Sequence, residues 1–349
     1  MTTLDDLLTP EGSIASVYLR APSATTEAEY RLETGWKNAR RGLADAGAPT
    51  EALEQMDTAV NDLQHGDAPS FALFVDDGAR HLLVEPLDDA LEADLAVYDR
   101  LPRLVPMLHS RQRSVPHVMV MTDRTGADIV AVVDGETAET DSVEGTDHHI
   151  HRGRFGGWSH RRIQQRAENR WEDNARDVSE RVSKLARQIG ARVITIAGDV
   201  RARQFALEHL DHDAREITTV LEAGDPDAVA EETVRLVADA VARDTKALLE
   251  SHANRAGAAT AVSGPEAVFH ALTAGRVETL LVVDDVDDER RAYFNPDGSP
   301  VCSTTKNFED MADGRLVDIA VRSALLADSD VRVVPATVLE GNIGALLRW

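Results

Sequence analysis

Apolar residues recur along this chain with two periods, and the alternation between them predicts a succession of helices and strands. Near the N-terminus "IASVYLR" predicts a short strand, and "YRLETGWKNARRGLADAG" and "TEALEQMDTAVNDLQHG" predict helices. In "FALFVDDGARHLLVEPL" two apolar runs flank Asp-Gly-type turn residues, which predicts a hairpin. "LPRLVPMLHSRQRSVP" carries three prolines and closes this first block at about residue 112. A second hairpin is predicted in "HVMVMTDRTGADIVAVVDGE", where two β-rich runs surround "DRTGAD". Ile163, Ala167, Trp171, Ala175, Val178, Val182, Leu185 and Ile189 then follow at steps of four and three. That spacing predicts one long helix with a single buried face, capped by Ser159 and ended by Gly190. "ARVITIAGD" predicts a buried strand, "VRARQFALEHL" a helix and "REITTVLEAG" a strand.

Asp225 and Pro226 form a cap and first-turn pair that opens a third block with a long helix. "GPEAVFHALTAGRVETLLVVDDV" predicts helix, turn and strand, and "RLVDIAVRSALLADSDVRVVPATVLEGNIGALLRW" predicts helix, strand and a closing element. The alternation places the chain in the α/β class. The expected segments are 1–112, 113–222 and 223–349, and no fixed-period repeat is visible.

A length of 349 residues suits two or three domains. Aromatic residues are only 4%, so the cores must be built chiefly from Ala, Val, Leu and Ile. No apolar run approaches the ~20 residues of a membrane span. The N-terminus shows no secretory pattern, and the single cysteine, Cys302, excludes an intrachain disulfide and a cysteine-based zinc ribbon. The expected location is the cytoplasm. The formal net charge of −24 should repel nucleic acid in general. Positive charge is almost all arginine, with Lys37, Lys184, Lys246 and Lys306 the only lysines.

One stretch breaks that balance. "HRGRFGGWSHRRIQQRAENRW", from His151 to Trp171, holds Arg152, Arg154, Arg161, Arg162, Arg166 and Arg170 against one acid, Glu168. Gly156 and Gly157 allow close backbone approach. Trp158 offers a plane for stacking on a base, and Ser159 and His160 lead into the predicted helix. A helix N-terminus favours anions, and arginine can fork onto a phosphate. Arg162, Arg166 and Arg170 share one helical stripe. The combination suits a finger that enters structured RNA by shape and phosphate contact rather than by duplex sequence. The competing reading is a solvated basic helix whose arginines pair with surface acids.

Other chemistry has less support. Asp147, His148, His149 and His151 are metal-ligand types, but no partner follows at i,i+4 spacing, so no metal site is expected. There is no P-loop, no GxGxxG and no GxSxG, so no cofactor and no hydrolase elbow are expected. The run Asp284, Asp285, Asp287, Asp288 lacks EF-hand spacing and reads as a solvated strand end.

"GRFGGWSHRRIQQRAENR" resembles the GGQ loop and following helix of the archaeal and eukaryotic class I peptide release factors. "AVSGPEAVFHALTAGRVETLLVVDD" and "EGNIGALLRW" are similar to that family's C-terminal domain, and "VMVMTDRTGADIVAV" to the hairpin that opens its central domain. The likeness covers about residues 113 to 349, and the N-terminal block in outline. It implies a three-domain, release-factor-like architecture: a mixed α/β N-terminal domain, an RNase H-like central domain carrying the basic Gly-rich loop, and an α/β/α C-terminal domain. Trp158 stands where the family has its catalytic glutamine, and no NIKS motif occurs in residues 1 to 112. An indole has one donor and no acceptor, so it cannot replace a side-chain amide. The nearer likeness is to the bacterial relatives of the family, the Balon-like hibernation factors.

The resemblance implies ribosome binding in the A site, with the loop tip towards the peptidyl-transferase centre under stress, and EF-Tu as a partner. DNA and membrane partners are not expected. Arg152, Arg154, Arg161, Arg162 and Arg166 would contact ribosomal RNA. Gly156, Gly157, Trp158, Ser159 and His160 would form the tip. The missing glutamine weighs against an enzyme. Two alternatives stay open: a peptidyl-tRNA hydrolase or rescue enzyme, for which Gln164 and Gln165 are the nearest amides, and an RNA-binding regulator that never meets a ribosome.

Overall fold

A computed structural model describes residues 3–349 apart from 10–11, 22–25, 64–67, 89, 124–125, 134–135, 145–146, 152–170 and 337–338. The N-terminal segment runs α1 (Leu4–Leu8), β1 (Ile14–Arg20), α2 (Thr26–Asp45), α3 (Thr50–Asp62), β2 (Ser70–Asp76), β3 (Leu82–Leu87), β4 (Leu95–Asp99) and α4 (Val105–Arg113). The expected hairpin forms, with Phe71 opposite Pro86 and Val75 opposite Leu82. β1 sits between β2 and β4 in an antiparallel sheet of order β3-β2-β1-β4. It is buried on both faces, which is why it reads as an apolar run, broken only at Ser16, whose hydroxyl accepts from Arg103 N at 3.0 Å. Val17 and Leu19 pack with Leu32, Trp36 and Met56 of the two helices. Ile14 and Tyr18 point into a different core. β4 and α4 had no periodic signature. β4 is five half-buried residues, and α4 has a proline at its second position and a polar second half.

The central segment contains β5 (His117–Thr122), β6 (Gly126–Val133), β7 (Glu136–Glu144), β8 (Asp147–His151), α5 (Trp171–Ile189), β9 (Val193–Gly198), α6 (Val200–His209), α7 (His212–Glu216) and β10 (Thr218–Val220). β5 to β8 form an antiparallel meander, and β9 and β10 add in parallel on the far side of β5, giving the order β10-β9-β5-β6-β7-β8. This meander with parallel strands beyond it is the RNase H-like arrangement. α5, α6 and α7 cover one face over Val118, Val120 and Ile129. The first half of α8 (Pro226–Ala256) covers the other, through Ala230, Val229 and Val237. Asp225 Oδ2 accepts from the Ala228 backbone at 3.3 Å, as expected of a cap. The strand expected over "REITTVLEAG" is confined to Thr218–Val220. Arg215 and Glu216 belong instead to α7, because the Asp211 side chain caps a turn there by accepting from Ala214 N at 2.9 Å. Gly198 has φ +112°, and a Cβ there would lie 1.9 Å from the Thr122 carbonyl oxygen, so only glycine lets the ends of β9 and β5 approach.

The C-terminal segment adds β11 (Ala261–Ser263), α9 (Pro265–Thr273), β12 (Val277–Val283), β13 (Arg291–Phe294), β14 (Cys302–Ser303), β15 (Ala312–Arg315), α10 (Leu316–Leu326), β16 (Asp330–Val334) and β17 (Ile343–Leu347). The order β11-β17-β12-β16 puts β12 parallel to β16 and antiparallel to β17. The small sheet β14-β13-β15 lies between β12 and α10 in the sequence, where no apolar pattern predicts strands. The chain is mixed α/β throughout.

Contacts group the chain into two units: residues 1–112 with 245–349, and residues 113–244. The change at 244/245 falls inside α8, whereas the sequence placed a boundary before that helix. The first unit is joined by one apolar cluster that draws Tyr18 and Phe74 from the N-terminal segment and Phe269, Leu280 and Ile319 from the C-terminal one. Polar ties cross the same seam. Gln112 bonds both ways with the backbone of Val333, each bond 2.8 Å. Tyr18 donates its hydroxyl to the Arg103 carbonyl at 2.5 Å. Asp318, 5% exposed, lies between Arg315 Nη1 at 3.3 Å and Arg103 Nε at 3.7 Å. Desolvation pushes the Asp318 carboxyl up to about 6, against the pull of both guanidinium groups.

Candidate RNA-binding site

The described residues on either side of the basic stretch 152–170 belong to β8 and α5. β8 is the outermost strand of the six-stranded sheet, and its last residue, His151, pairs with Thr140 of β7. On the other side α5 begins at Trp171. The ten predicted contact residues, Arg152, Arg154, Gly156, Gly157, Trp158, Ser159, His160, Arg161, Arg162 and Arg166, all lie outside the described residues. So do Gln164 and Gln165 and the helix start expected at Ser159.

α5 itself is held as its periodicity requires. Val178, Val182 and Leu185 are buried against the sheet, with Ile189 packed at the edge of the same cluster. Two serines on that face are buried because each has a backbone partner. Ser179 Oγ donates to the Ala206 carbonyl at 2.8 Å, and Ser183 Oγ accepts from Asp211 N at 3.3 Å. Those bonds tie α5 to α6 and to the turn after it. The helix ends at Gly190, with φ +65°. Ala191 N bonds Ala186 O at 2.8 Å and Gly190 N bonds Arg187 O at 3.4 Å, the paired pattern of a glycine C-terminal cap. The exposed side of α5 carries Arg176, Lys184 and Arg187 with Asp177 and Glu180 among them. Arg187 is paired with Asp211 at 3.2 Å. Basic excess thus belongs to the sequence of the loop, six arginines against one glutamate over 152–170, and gives way to mixed charge along α5.

No group of His, Cys, Asp or Glu among the described residues could hold a metal ion. No described helix is long and apolar enough to cross a membrane. The Asp-rich run after β12 is engaged in local structure. Asp288 pairs with Arg290, which holds its carboxyl below the usual range, and Asp285 accepts from Asn342 Nδ2 at 3.1 Å.

Residues 116–258 match the sequence model of bacterial archaeo-eukaryotic release factor family 2. Two uncharacterised Mycobacterium tuberculosis proteins, Rv2629 of strain H37Rv and MT2704 of strain CDC 1551, are each 27% identical over 367 residues, covering 98% of this chain and 95% of theirs. Among solved structures, ribosome-bound archaeal Pelota aligns at 15% identity with a TM-score of 0.42, over 100% of this chain and 94% of that one. Saccharomyces cerevisiae Dom34, a translation termination-like factor, aligns at 10% identity with a TM-score of 0.40, over 80% of each chain. The archaeal translation termination factor aRF1 aligns at 16% identity with a TM-score of 0.24, over 96% of this chain and 92% of that one. The likeness to bacterial archaeo-eukaryotic release factor family 2 thus spans residues 116–258, the segment that contains the Gly-Gly-Trp stretch.

Proposed function

We propose that this protein is a ribosome-binding translation factor that occupies the A site and blocks or protects the peptidyl-transferase centre under stress, in the cytoplasm and without catalysis. One observation carries the reading: the Gly-Gly-Trp loop with its six arginines lies within the family-matched segment, between an edge strand and a helix anchored to the sheet. Flanking elements built into the sheet domain suit a segment that must reach a fixed depth. Arg152, Arg154, Arg161, Arg162 and Arg166 neutralise ribosomal RNA phosphates, Gly156 and Gly157 let the backbone approach, and Trp158 stacks at the tip beside Ser159 and His160. The Trp158 indole can donate but not accept, so it cannot hold a nucleophilic water as a side-chain amide does, which supports a loop that fills space rather than hydrolysing an ester. EF-Tu is the proposed protein partner, through the C-terminal segment.

The test is co-sedimentation of the full-length protein with vacant bacterial ribosomes across a salt series, with and without EF-Tu. Salt-sensitive binding that EF-Tu strengthens is the expected result. Absence of binding at every salt concentration would remove the A-site reading.

A further inference from the structure

A second region of positive charge, unrelated to the loop, lies in the first unit. α10 reads "LVDIAVRSALL", and its one arginine, Arg322, is 1% exposed. Nε donates to the Leu8 carbonyl at 2.7 Å and Nη1 to the Ser299 carbonyl at 3.1 Å. The guanidinium stands 4.9 Å from the Phe294 ring centroid. Nη2 has no hydrogen-bond partner. Carbonyl dipoles and an aromatic face soften a buried charge but do not neutralise it, and an unpaired buried cation is costly. Burial accordingly draws the Arg322 guanidinium below its ordinary range, with Asp297 partly opposing.

Arg322 forms part of the wall of a cavity of about 540 Å³, which Thr9, Gly12, Arg100, Phe294 and Asp297 also line. That size falls within the range of small-molecule sites. Arg100 is exposed and close enough to Asp313 to help hold that carboxyl low, without a short ion pair to it among the described residues. Asp297 accepts from Ser299 N at 2.9 Å and from Asn295 Nδ2 at 3.0 Å, so its carboxylate is fixed in place and stays ionised. The wall therefore offers two cations and one acceptor. A bare anion would meet Asp297 unfavourably, whereas a ligand carrying both an anion and hydroxyl donors satisfies all three.

We infer that this cavity binds a hydroxyl-bearing phosphate monoester, a ribonucleotide or sugar phosphate, with its phosphate towards Arg322 and Arg100 and a hydroxyl donating to Asp297. Arg322, 1% exposed, contributes its charge from within the wall, and Arg100, the exposed cation, makes the direct contact with the phosphate.

The experiment is calorimetric titration of the full-length protein with adenosine monophosphate, and in parallel with inorganic phosphate and with chloride at matched ionic strength. Saturable binding of the nucleotide, at least tenfold tighter than phosphate, is expected. Arg100→Gln should weaken it about tenfold while leaving the unliganded melting temperature unchanged, and Arg322→Met should abolish it. Arg322 is a core residue, so Arg100→Gln keeps the test decisive if the Arg322 variant fails to fold. The inference is overturned if the nucleotide does not bind above the chloride control, if phosphate binds equally well, or if Arg100→Gln binds as tightly as the wild type.

Discussion

Asp318 offers a test of the seam that joins the N- and C-terminal segments. Its carboxyl is 5% exposed and pushed up from 3.8 to about 6, because desolvation outweighs Arg315 and Arg103. A folded-state value above the unfolded one means the native protein binds the proton more tightly. The contribution is fully present below 3.8 and is lost as pH rises through about 6. At 1.36 kcal/mol per unit, the whole shift corresponds to roughly 3 kcal/mol, of which about 2 kcal/mol is recovered on acidification from pH 7 to 4.5. Carboxylates held low by partners, such as Asp288, Asp313 and Asp76, act in the opposite sense and lose their contribution as pH falls through their own depressed range. They are common to wild type and Asp318→Asn, so the difference between the two isolates Asp318. Urea titrations read by hydrogen exchange of the α10 peptides report the first unit alone. The stability of wild type minus that of Asp318→Asn should rise by about 2 kcal/mol from pH 7 to 4.5. A difference that stays flat, or falls on acidification, would show that the two arginines dominate and that the desolvation argument is wrong.

Three further outcomes are expected. Reversing charge at Arg161 and Arg162 together should weaken ribosome co-sedimentation by roughly tenfold or more at low salt without moving the melting temperature, since both act through phosphate contacts in the proposed function. Trp158→Gln places an amide where the resemblance to release factors puts their catalytic glutamine, and peptidyl-tRNA hydrolysis appearing only in that variant would show that geometry was retained and chemistry lost. Gly198→Ala should destabilise the central unit by about 3 kcal/mol or more in denaturant unfolding, because its Cβ would sit 1.9 Å from Thr122 O at φ +112°. A loss below about 1 kcal/mol would mean that the β5 and β9 ends separate easily.

Much of the fold was legible because it depends on local pattern. Val178, Val182 and Leu185 fall on the buried face their spacing required, and Gly190 ends α5 in the left-handed region. Both hairpins pair as their turns indicated. "REITTVLEAG" misled because Ile217, Thr218, Thr219 and Val220 favour a strand, while the Asp211 cap had already committed the preceding residues to a helical turn. The union of the two ends of the chain was not legible. Tyr18 meeting the Arg103 carbonyl and Asp318 meeting Arg103 are contacts between distant positions, and no window of periodicity contains them. A hint was present in "LVDIAVRSALL", where Asp318 and Arg322 interrupt an apolar helix at positions that must be buried. A charge in such a place needs a partner from elsewhere in the chain. The candidate RNA site rests on composition, its arginines and glycines, and the structure describes only the elements on either side of it, β8 and α5.

The electrostatics bear on how such a protein could find RNA. With a net charge of −24 the chain as a whole repels a polyanion, and the arginine-rich stretch 152–170 is the segment of the sequence that would favour approach. In the proposed function the surrounding acidity would select orientation, suppressing contacts that do not lead with the arginine-rich segment. It also limits the salt dependence. Six arginines can neutralise at most about six phosphates, so log affinity against log salt should have a slope no steeper than about −5. A protein binding over a broad basic surface would exceed that. A slope near zero would mean that the arginines spend their charge on the acids of their own chain, and the loop would then be a solvated helix start rather than an RNA-binding finger.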